Sequence, residues 1–262
     1  MRKLKRRGMT WLFDLDNTLH DASHAIFPAI HLNMNIFIAK VLRECGEPCD
    51  EIAVNAMRVA YWRRYGATLL GMVNHHQVRT EDFLYAAHQF DDLATMLRVE
   101  RGVAKILRGL PGKKILLTNA PQRYSRDVLR HMGLHRHFAK HVAVESMHVH
   151  RRLRPKPSKI MLRKLMARER LVPQNCVLVE DTVSNLKAAK AVGLKTVLVT
   201  QYLATNSAGD AHKRTHAKTR AILPAKLPAG VATTNPATKR PIYVDVKVKS
   251  VGQLFRQLHR LR

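Results

Sequence analysis

The sequence predicts an α/β protein with a doubly wound parallel sheet of the Rossmann-like type. Two observations support this fold class. Short apolar runs alternate with helical stretches along the second half of the chain, which is the pattern of strand–helix–strand units. Several apolar runs also end in Asp, Glu, Thr or Asn, and the carboxyl ends of parallel strands form the ligand-binding edge of such a sheet.

The elements follow from the hydrophobic pattern in chain order. Continuous apolar or alternating runs predict strands at 10–15, 113–119, 141–147, 176–181, 195–200 and 241–248. Helical spacing of apolar residues predicts helices at 26–44, 49–66, 80–90, 99–110, 125–134, 158–171, 184–194 and 250–261. Glu81 and Asp82 after Thr80 are typical of a helix start, and Gly66 is typical of a helix end.

The order of these elements predicts two domains. Residues 22–108 show helical spacing without strand-like alternation, so they form a helical insertion. Residues 1–21 and 109–262 then make up one α/β core. Within the core, residues 205–240 are rich in Ala, Thr, Lys and Pro and have no periodic apolar face. That composition predicts a flexible or disordered basic insertion.

Length and cysteine content narrow the class of protein. A chain of 262 residues is long enough to bury a full core. No apolar run approaches the roughly 18 to 20 residues that a membrane helix needs, and the basic amino terminus runs straight into aspartates rather than into a signal sequence. The chain has 3 cysteines, too few for a disulfide framework. We therefore expect a cytoplasmic protein that has no membrane contact.

The net charge of +27 leaves two interpretations open. Residues 201–262 carry 12 Lys and Arg against 2 Asp, a net charge of 12 − 2 = +10. Such an excess favours contacts with anions and allows nonspecific binding of nucleic acid through this basic segment. The alternative is a compositional bias that leaves the cations solvated. Motifs that read bases are absent from the sequence.

Two carboxylates stand at the end of the first predicted strand. Asp14 and Asp16 follow a short apolar run, and Thr18 comes next. Carboxylates at the end of a buried strand cost free energy unless a cation lies between them, and an oxygen-rich site suits Mg²⁺. The alternative is a strand end that Asp and Asn cap in an ordinary turn.

Polar residues at other strand ends favour the catalytic interpretation. Thr118 and Asn119 end one predicted strand, and Glu180 and Asp181 end another. Lys156 lies between two prolines that stiffen its loop. Acids for a metal ion, hydroxyl and amide donors and one fixed cation are what a phosphate, its Mg²⁺ and an in-line nucleophile require.

The order of these motifs resembles the haloacid dehalogenase superfamily of phosphohydrolases. DLDNT, LLTN, Lys156 and VEDTVSN match its four motifs in order, and the helical stretch 22–108 resembles the family's helical cap. The resemblance covers the chain except for its first several residues and the 205–240 segment. It implies a hydrolase, specifically a phosphatase that acts on a small phosphorylated substrate.

The resemblance also implies roles for the site residues. Asp14 would be the nucleophile that forms an aspartyl-phosphate, and Asp16 the acid–base partner. Dehalogenases of the superfamily lack an acid at the second position, so Asp16 favours a phosphatase. Thr118 and the Asn119 backbone would hold phosphate oxygens while Lys156 neutralises charge. Mg²⁺ would be bound by Asp14, Asp181 and the Asp16 carbonyl, with support from Glu180, Thr18 and Asn185. The Asn stands where many relatives have a second acid.

The match is closer to one branch, the pyrimidine 5′-nucleotidases. LTNAPQRY, YGATLLGM and the motif-four segment carry this similarity, which implies UMP- or CMP-type substrates. The base would then lie near four residues, His20, Tyr65, Thr68 and Met72. Three alternatives stay open: packing of the cap helices by YGATLLGM, a phosphatase of phosphoglycolate or a sugar phosphate, and a basic nucleic-acid-binding protein that keeps a phosphatase scaffold. The oligomeric state does not follow from the sequence.

Overall fold

The chain forms a parallel sheet flanked by helices, as the sequence predicts. The structure is a computed structural model that describes residues 8–203 and 241–261. Six parallel strands lie in the order β3-β2-β1-β6-β7-β8, so the first strand is near the centre. They are β1 Thr10–Phe13, β2 Lys113–Leu117, β3 Lys140–Val142, β6 Cys176–Glu180, β7 Lys195–Val199 and β8 Val246–Val248. The predicted segment 205–240 lies outside the described residues.

Alternating side chains of the strands form a core on each face of the sheet. In β1, Trp11 and Phe13 join one buried cluster, whereas Leu12 joins the other. In β6, Val177 joins the first of these clusters and Leu178 joins the second. This is the two-residue period of a strand that is covered on both faces. The carboxyl ends of β1, β2 and β6 consequently meet at one edge.

Nine α-helices lie within the described residues. The inserted helices, α1 to α6, lie between β1 and β2 in the chain, and α7 to α9 follow β2. Their bounds are α1 Ile26–Glu44, α2 Glu51–Tyr65, α3 Thr68–His76, α4 Thr80–Ala87, α5 Leu93–Met96, α6 Val103–Gly109, α7 Gln122–His131, α8 Lys159–Arg168 and α9 Val183–Ala191. None of the described helices has the length and apolar character needed to span a membrane.

The inserted helices share a core with the sheet. Ile38 and Phe83 are fully buried with Trp11 and Phe13 in one hydrophobic cluster. Asp50 caps α2, because its carboxylate accepts hydrogen bonds from the backbone N–H groups of residues 52 and 53. Gly66 ends the helix with a φ of 79°, a left-handed conformation that glycine adopts without strain. The assignment of 22–108 as a cap domain stays a prediction.

Two predicted strands are shorter in the structure. Within 141–147 the strand ends at Val142, and Val144–Ser146 forms a 3₁₀ turn. The carboxylate of Glu145 in this turn accepts hydrogen bonds from the N–H of Gln122 at the start of α7. Within 241–248 only Val246–Val248 pairs with β7, because the chain first turns between Pro241 and Val244.

The carboxyl-terminal helix is of a different type from the one predicted. Residues Val251–Leu261 form a 3₁₀ helix rather than an α-helix, and they bury Val251, Leu254 and Leu261. The three-residue spacing of Val251 and Leu254 suits three residues per turn. The structure also adds an antiparallel hairpin, β4 His148–Val149 with β5 Arg152–Leu153, in a region where the sequence predicts no element.

Candidate active site

The end of β1 carries both candidate catalytic carboxylates. Asp14 is buried, and its backbone N–H extends the sheet by donating to the carbonyl of Val179. Asn17 takes a left-handed φ of 56°, and its Oδ1 accepts hydrogen bonds from the N–H groups of Ala22 and Ser23. This turn is tight because Asn tolerates the left-handed region. It directs Asp14 and Asp16 into the same cavity.

Lys156 forms ion pairs with two buried carboxylates at this edge. Its Nζ lies 2.7 Å from Asp14 Oδ1 and 2.8 Å from Glu180 Oε2. The lysine side chain is only 3% exposed, so these carboxylates supply the charge that keeps it protonated. Burial disfavours the charged ammonium, but the two carboxylates outweigh that effect and raise the pKa of Lys156 above its ordinary value.

The loop that carries Lys156 is fastened to the end of β2. The amide of Asn119 donates to the Lys156 carbonyl at 3.0 Å and accepts from the Lys156 N–H at 2.9 Å. These reciprocal hydrogen bonds join two segments that lie 37 residues apart in the chain. The Asn119 side chain therefore positions the lysine, and the proposed contact with phosphate is left to its backbone.

Glu180 accepts hydrogen bonds from backbone and side-chain groups at this edge of the sheet. It is fully buried at the end of β6, where Oε1 accepts from the N–H groups of Asp181 and Thr182. Oε2 accepts from Lys156 Nζ and from the Asn185 amide at 2.9 Å. Glu180 thus accepts four hydrogen bonds, one of them from the Asn185 side chain, and the support of a metal ion by Glu180 and Asn185 stays a prediction.

The charges of this edge fit a divalent cation. One carboxylate oxygen from each of Asp14, Glu180 and Asp181 lies within 4.8 Å of the other two. Burial raises the pKa of the Asp14 carboxyl well above its ordinary value, and the Glu180 charge adds to this effect although Lys156 opposes it. Burial and Glu180 likewise raise the pKa of Asp181 well above its ordinary value. Three close carboxylates with one lysine leave unbalanced negative charge, which a hard cation such as Mg²⁺ would neutralise.

Asp16 lies outside this ion-pair cluster and has its own partners. Its Oδ1 accepts a 2.7 Å hydrogen bond from the hydroxyl of Tyr124 and lies 2.9 Å from His20 Nε2. Burial would raise the pKa of Asp16, but the hydrogen bonds and charge interaction with His20, together with Tyr124, lower it below its ordinary value. The ionised carboxylate is thus the stabilised form.

Two threonines line the same region. Thr118 is 1% exposed, faces the cavity and accepts a hydrogen bond from the N–H of Ala120. Its hydroxyl hydrogen is left available for an acceptor in the cavity. The Thr18 hydroxyl is buried without a partner among the described residues.

A cavity of about 420 Å³ opens above these strand ends. On the side of the sheet it is lined by Asp14, Asp16, Thr118, Lys156 and Asp181. On the opposite side its lining comes mainly from α1, α2, α3 and α4, with apolar and aromatic residues such as Phe27, Trp62 and Phe83. The strand-end residues form a polar floor of the cavity, and the residues of the inserted helices form a largely apolar roof.

Three of the four residues expected near a base lie outside the cavity lining. His20 is fully buried against Asp16, so it belongs to the carboxylate rather than to the substrate surface. Met72 is fully buried among the inserted helices and lies outside the cavity lining. Tyr65 is also outside the lining, and its hydroxyl contacts His75 Nε2. Thr68 does line the cavity, although its hydroxyl donates to the carbonyl of Arg58.

Two cavity residues and one partner of Asp16 were not predicted from the sequence. Tyr124 lies in the quoted segment LTNAPQRY, but no spacing rule connects it with Asp16. Arg58 and His31 come from α2 and α1 and line the roof. A charged residue on the apolar face of a predicted helix was the available signal for Arg58.

The fold and the site define a hydrolase that carries an acidic strand-end centre with a buried lysine. A sequence profile of haloacid dehalogenase-like hydrolases matches residues 9–193. The match covers more than half of the chain, and the protein therefore belongs to the haloacid dehalogenase-like hydrolase family.

Individual relatives agree with this family. A phosphorylated carbohydrates phosphatase of Thermotoga maritima is 25% identical over 191 residues, which are 71% of this chain and 82% of that protein. A haloacid dehalogenase-type phosphatase from Thermococcus onnurineus superposes with a TM-score of 0.58 at 18% identity, covering 95% of this chain and 97% of that one. For L-2-haloacid dehalogenase from Xanthobacter autotrophicus the TM-score is 0.54 at 16% identity, with 96% and 98% covered. The two structures show a shared fold, so the reaction must be argued from the site.

Proposed function

We propose that the protein is a Mg²⁺-dependent phosphomonoester hydrolase that works through an aspartyl-phosphate. The proposal rests on the different hydrogen-bond and ion-pair partners of two carboxylates. Asp14 is held 2.7 Å from the Lys156 ammonium beside Asp181, whereas Asp16 is held apart by Tyr124 and His20. A nucleophile with its charge neutralised and a separate proton carrier are what two-step phosphoryl transfer needs. The Thermotoga maritima relative supports the same reaction class.

In the proposed reaction, an Asp14 oxygen attacks phosphorus and forms the P–O bond of the aspartyl-phosphate. The bond from phosphorus to the leaving oxygen breaks, and Asp16 gives that oxygen the proton that it took from water in the preceding turnover, a transfer that its lowered pKa favours. Ionised Asp16 then takes a proton from water, which attacks phosphorus and releases Asp14 and inorganic phosphate. The hydrogen bonds from Tyr124 and His20 stabilise the ionised form that this second step uses.

Charge on the phosphate is offset by fixed groups. Lys156 neutralises Asp14 and the incoming phosphate, and the Thr118 hydroxyl donates to a phosphate oxygen. Asp14, Asp181 and the Asp16 carbonyl would hold Mg²⁺, which supplies positive charge that polarises the phosphoryl group. Glu180 and Asn185 keep Lys156 and the β6 loop in place.

As substrates we propose pyrimidine nucleoside 5′-monophosphates such as UMP and CMP, whose leaving group is the nucleoside. The cavity roof offers flat apolar surfaces at Phe27 and Trp62, which suit a planar base better than a polyhydroxyl sugar. The motif segments that resemble pyrimidine 5′-nucleotidases support the same choice. A phosphorylated carbohydrate is the second candidate, because the Thermotoga maritima relative is named for that activity. The three free cysteines suit a reducing compartment, and we propose the cytoplasm.

Phosphate release from UMP, CMP, ribose 5-phosphate and 2-phosphoglycolate tests the proposal. We expect release that requires Mg²⁺, stops with EDTA and is abolished by Asp14→Asn. Asp91→Asn, at an exposed aspartate outside the cavity, is the matched control and should retain full activity. Full activity of the Asp14→Asn protein would refute the covalent mechanism, and a preference for ribose 5-phosphate over UMP would refute the nucleotide assignment.

A further inference from the structure

A buried arginine in the cavity roof lacks an anionic partner. Arg58 in α2 is 8% exposed and lines the cavity. Its Nη2 donates to Asn55 Oδ1 at 3.2 Å, whereas its buried Nε has no hydrogen-bond partner in the part of the chain that the structure describes. Across residues 8–203 and 241–261, no carboxylate forms an ion pair with this guanidinium.

The surroundings of Arg58 leave its charge uncompensated. The lining residues that the inserted helices contribute include no Asp or Glu, since the acids of the cavity all belong to the strand ends. His31 lines the roof as well, and burial and the Arg58 charge lower its pKa to about 4. Its imidazole is therefore neutral at neutral pH and adds no second cation. Arg58 is the cationic side chain of the roof.

Neighbouring hydrogen bonds hold Arg58 in place. Asn55 accepts from Arg58 and also from the Asn35 amide at 3.0 Å, which fixes its orientation. The Thr68 hydroxyl donates to the Arg58 carbonyl at 3.1 Å and ties α3 to α2 at this residue. A guanidinium fixed in this way is ready to bind a planar acceptor without further ordering.

A buried charge with unused donors is costly unless an acceptor reaches it, and the cavity is open to a ligand. We propose that Arg58 determines specificity by donating hydrogen bonds to a planar carbonyl or carboxylate oxygen of the leaving group. This inference rests on the proposed phosphomonoesterase activity. In UMP and CMP the acceptor is an exocyclic carbonyl of the base, and in a phosphorylated hydroxy acid it is the carboxylate.

Matched substrate pairs isolate this contact. UMP and ribose 5-phosphate differ by the base, whereas 2-phosphoglycolate and ethyl phosphate differ by the carboxylate oxygens. In the wild-type protein we expect kcat/KM for UMP to exceed that for ribose 5-phosphate. Arg58→Met should lower kcat/KM for UMP roughly 10- to 100-fold, which is the usual effect of losing a hydrogen bond to a charged group. It should leave the value for ribose 5-phosphate unchanged.

The second pair identifies the source of the oxygen. An Arg58-dependent preference confined to 2-phosphoglycolate over ethyl phosphate would support the proposal with a carboxylate as the acceptor. Equal losses on both members of each pair, or no loss on any substrate, would overturn it. Arg63→Met is the matched control, because Arg63 is exposed on the same helix and lies outside the cavity lining.

Activity on ribose 5-phosphate also reports that the variant is folded. If Arg58→Met loses all activity, Arg58→Lys provides the second test, because lysine keeps the charge but lacks the planar pair of donors. This variant should lower the preference for UMP and retain hydrolysis of ribose 5-phosphate. An unchanged preference in Arg58→Lys would overturn the proposal. Failure of the proposed function itself would look different, since the wild-type protein would then release phosphate from none of the four substrates.

Discussion

The Tyr124 hydroxyl donates a 2.7 Å hydrogen bond to Asp16 Oδ1 across 108 residues of sequence. Replacing Tyr124 by Phe removes this donor and leaves His20 as the remaining partner. We expect kcat to fall about tenfold with little change in KM, because hydrogen bonds to charged groups contribute roughly 1.5–3 kcal/mol and Asp16 does not bind the ground state. Steady-state kinetics on the best substrate measure this. An unchanged kcat would show that Tyr124 does not position Asp16.

Mg²⁺ should stabilise the folded protein through Asp181. A ligand that binds only the folded state at 100 times its Kd adds about 2.7 kcal/mol, which corresponds to several degrees in Tm for a chain of this size. We expect Mg²⁺ to raise the Tm of the wild-type protein, EDTA to reverse the rise, and Asp181→Asn to remove it. Asp91→Asn is the control and should respond as the wild type does. An equal Mg²⁺ response in Asp181→Asn would exclude this carboxylate as a ligand.

Gly71 in the YGATLLGM segment should be needed for packing. A Cβ added at this position would lie 2.5 Å from Tyr61 Cβ, so α3 approaches α2 at a distance that excludes a larger residue. We expect Gly71→Ala to lower the free energy of unfolding by about 1–3 kcal/mol in a denaturant titration. Gly8→Ala, where an added Cβ has open space, should change stability far less. Equal stability of the two variants would contradict close helix packing.

The contribution of Asp245 to stability should depend on pH. Burial favours the neutral carboxyl, but hydrogen bonds from Lys190 and Thr196 outweigh it and lower the pKa of Asp245 in the folded state. In the unfolded chain the pKa is about 3.9. A lowered folded-state pKa gives stability that is fully present above about pH 5 and is lost as pH falls through the folded-state value.

The difference in unfolding free energy between the wild type and Asp245→Asn should therefore be largest at neutral pH. It should shrink as the pH falls below about 4, where the unfolded chain takes up the proton first, and it should vanish below the folded-state pKa, where the carboxyl is neutral in both states. Urea titrations at several pH values measure this difference. A difference that stays constant down to pH 3 would show that the ion pair with Lys190 contributes nothing.

Residues whose role depends on local pattern were predictable from the sequence. Helix α1 was predicted at its observed bounds, 26–44, because it has an apolar stripe at helical spacing. The strand ends at Asp14, Thr118 and Glu180 were predictable because the carboxyl ends of neighbouring parallel strands must meet. The segment 250–261 was predicted to bury an apolar face, and only its helix type was wrong.

Residues whose role depends on distant contacts were not predictable. The Tyr124–Asp16 hydrogen bond depends on how α7 packs beside β1, and a single sequence gives no sign of that. His20 and Met72 were expected near a base because their segments resemble one branch of the family. Packing of the whole chain instead buries His20 against Asp16 and Met72 in the hydrophobic core.

The acids of the cavity come from strand ends, while the roof cation Arg58 and the apolar surfaces come from inserted helices. The two halves are encoded in separate stretches of the gene, so a substitution in α1 or α2 can alter what is bound without disturbing the groups that react. A lineage could therefore acquire new substrates by changing a few codons between β1 and β2, while selection on the strand ends remains constant.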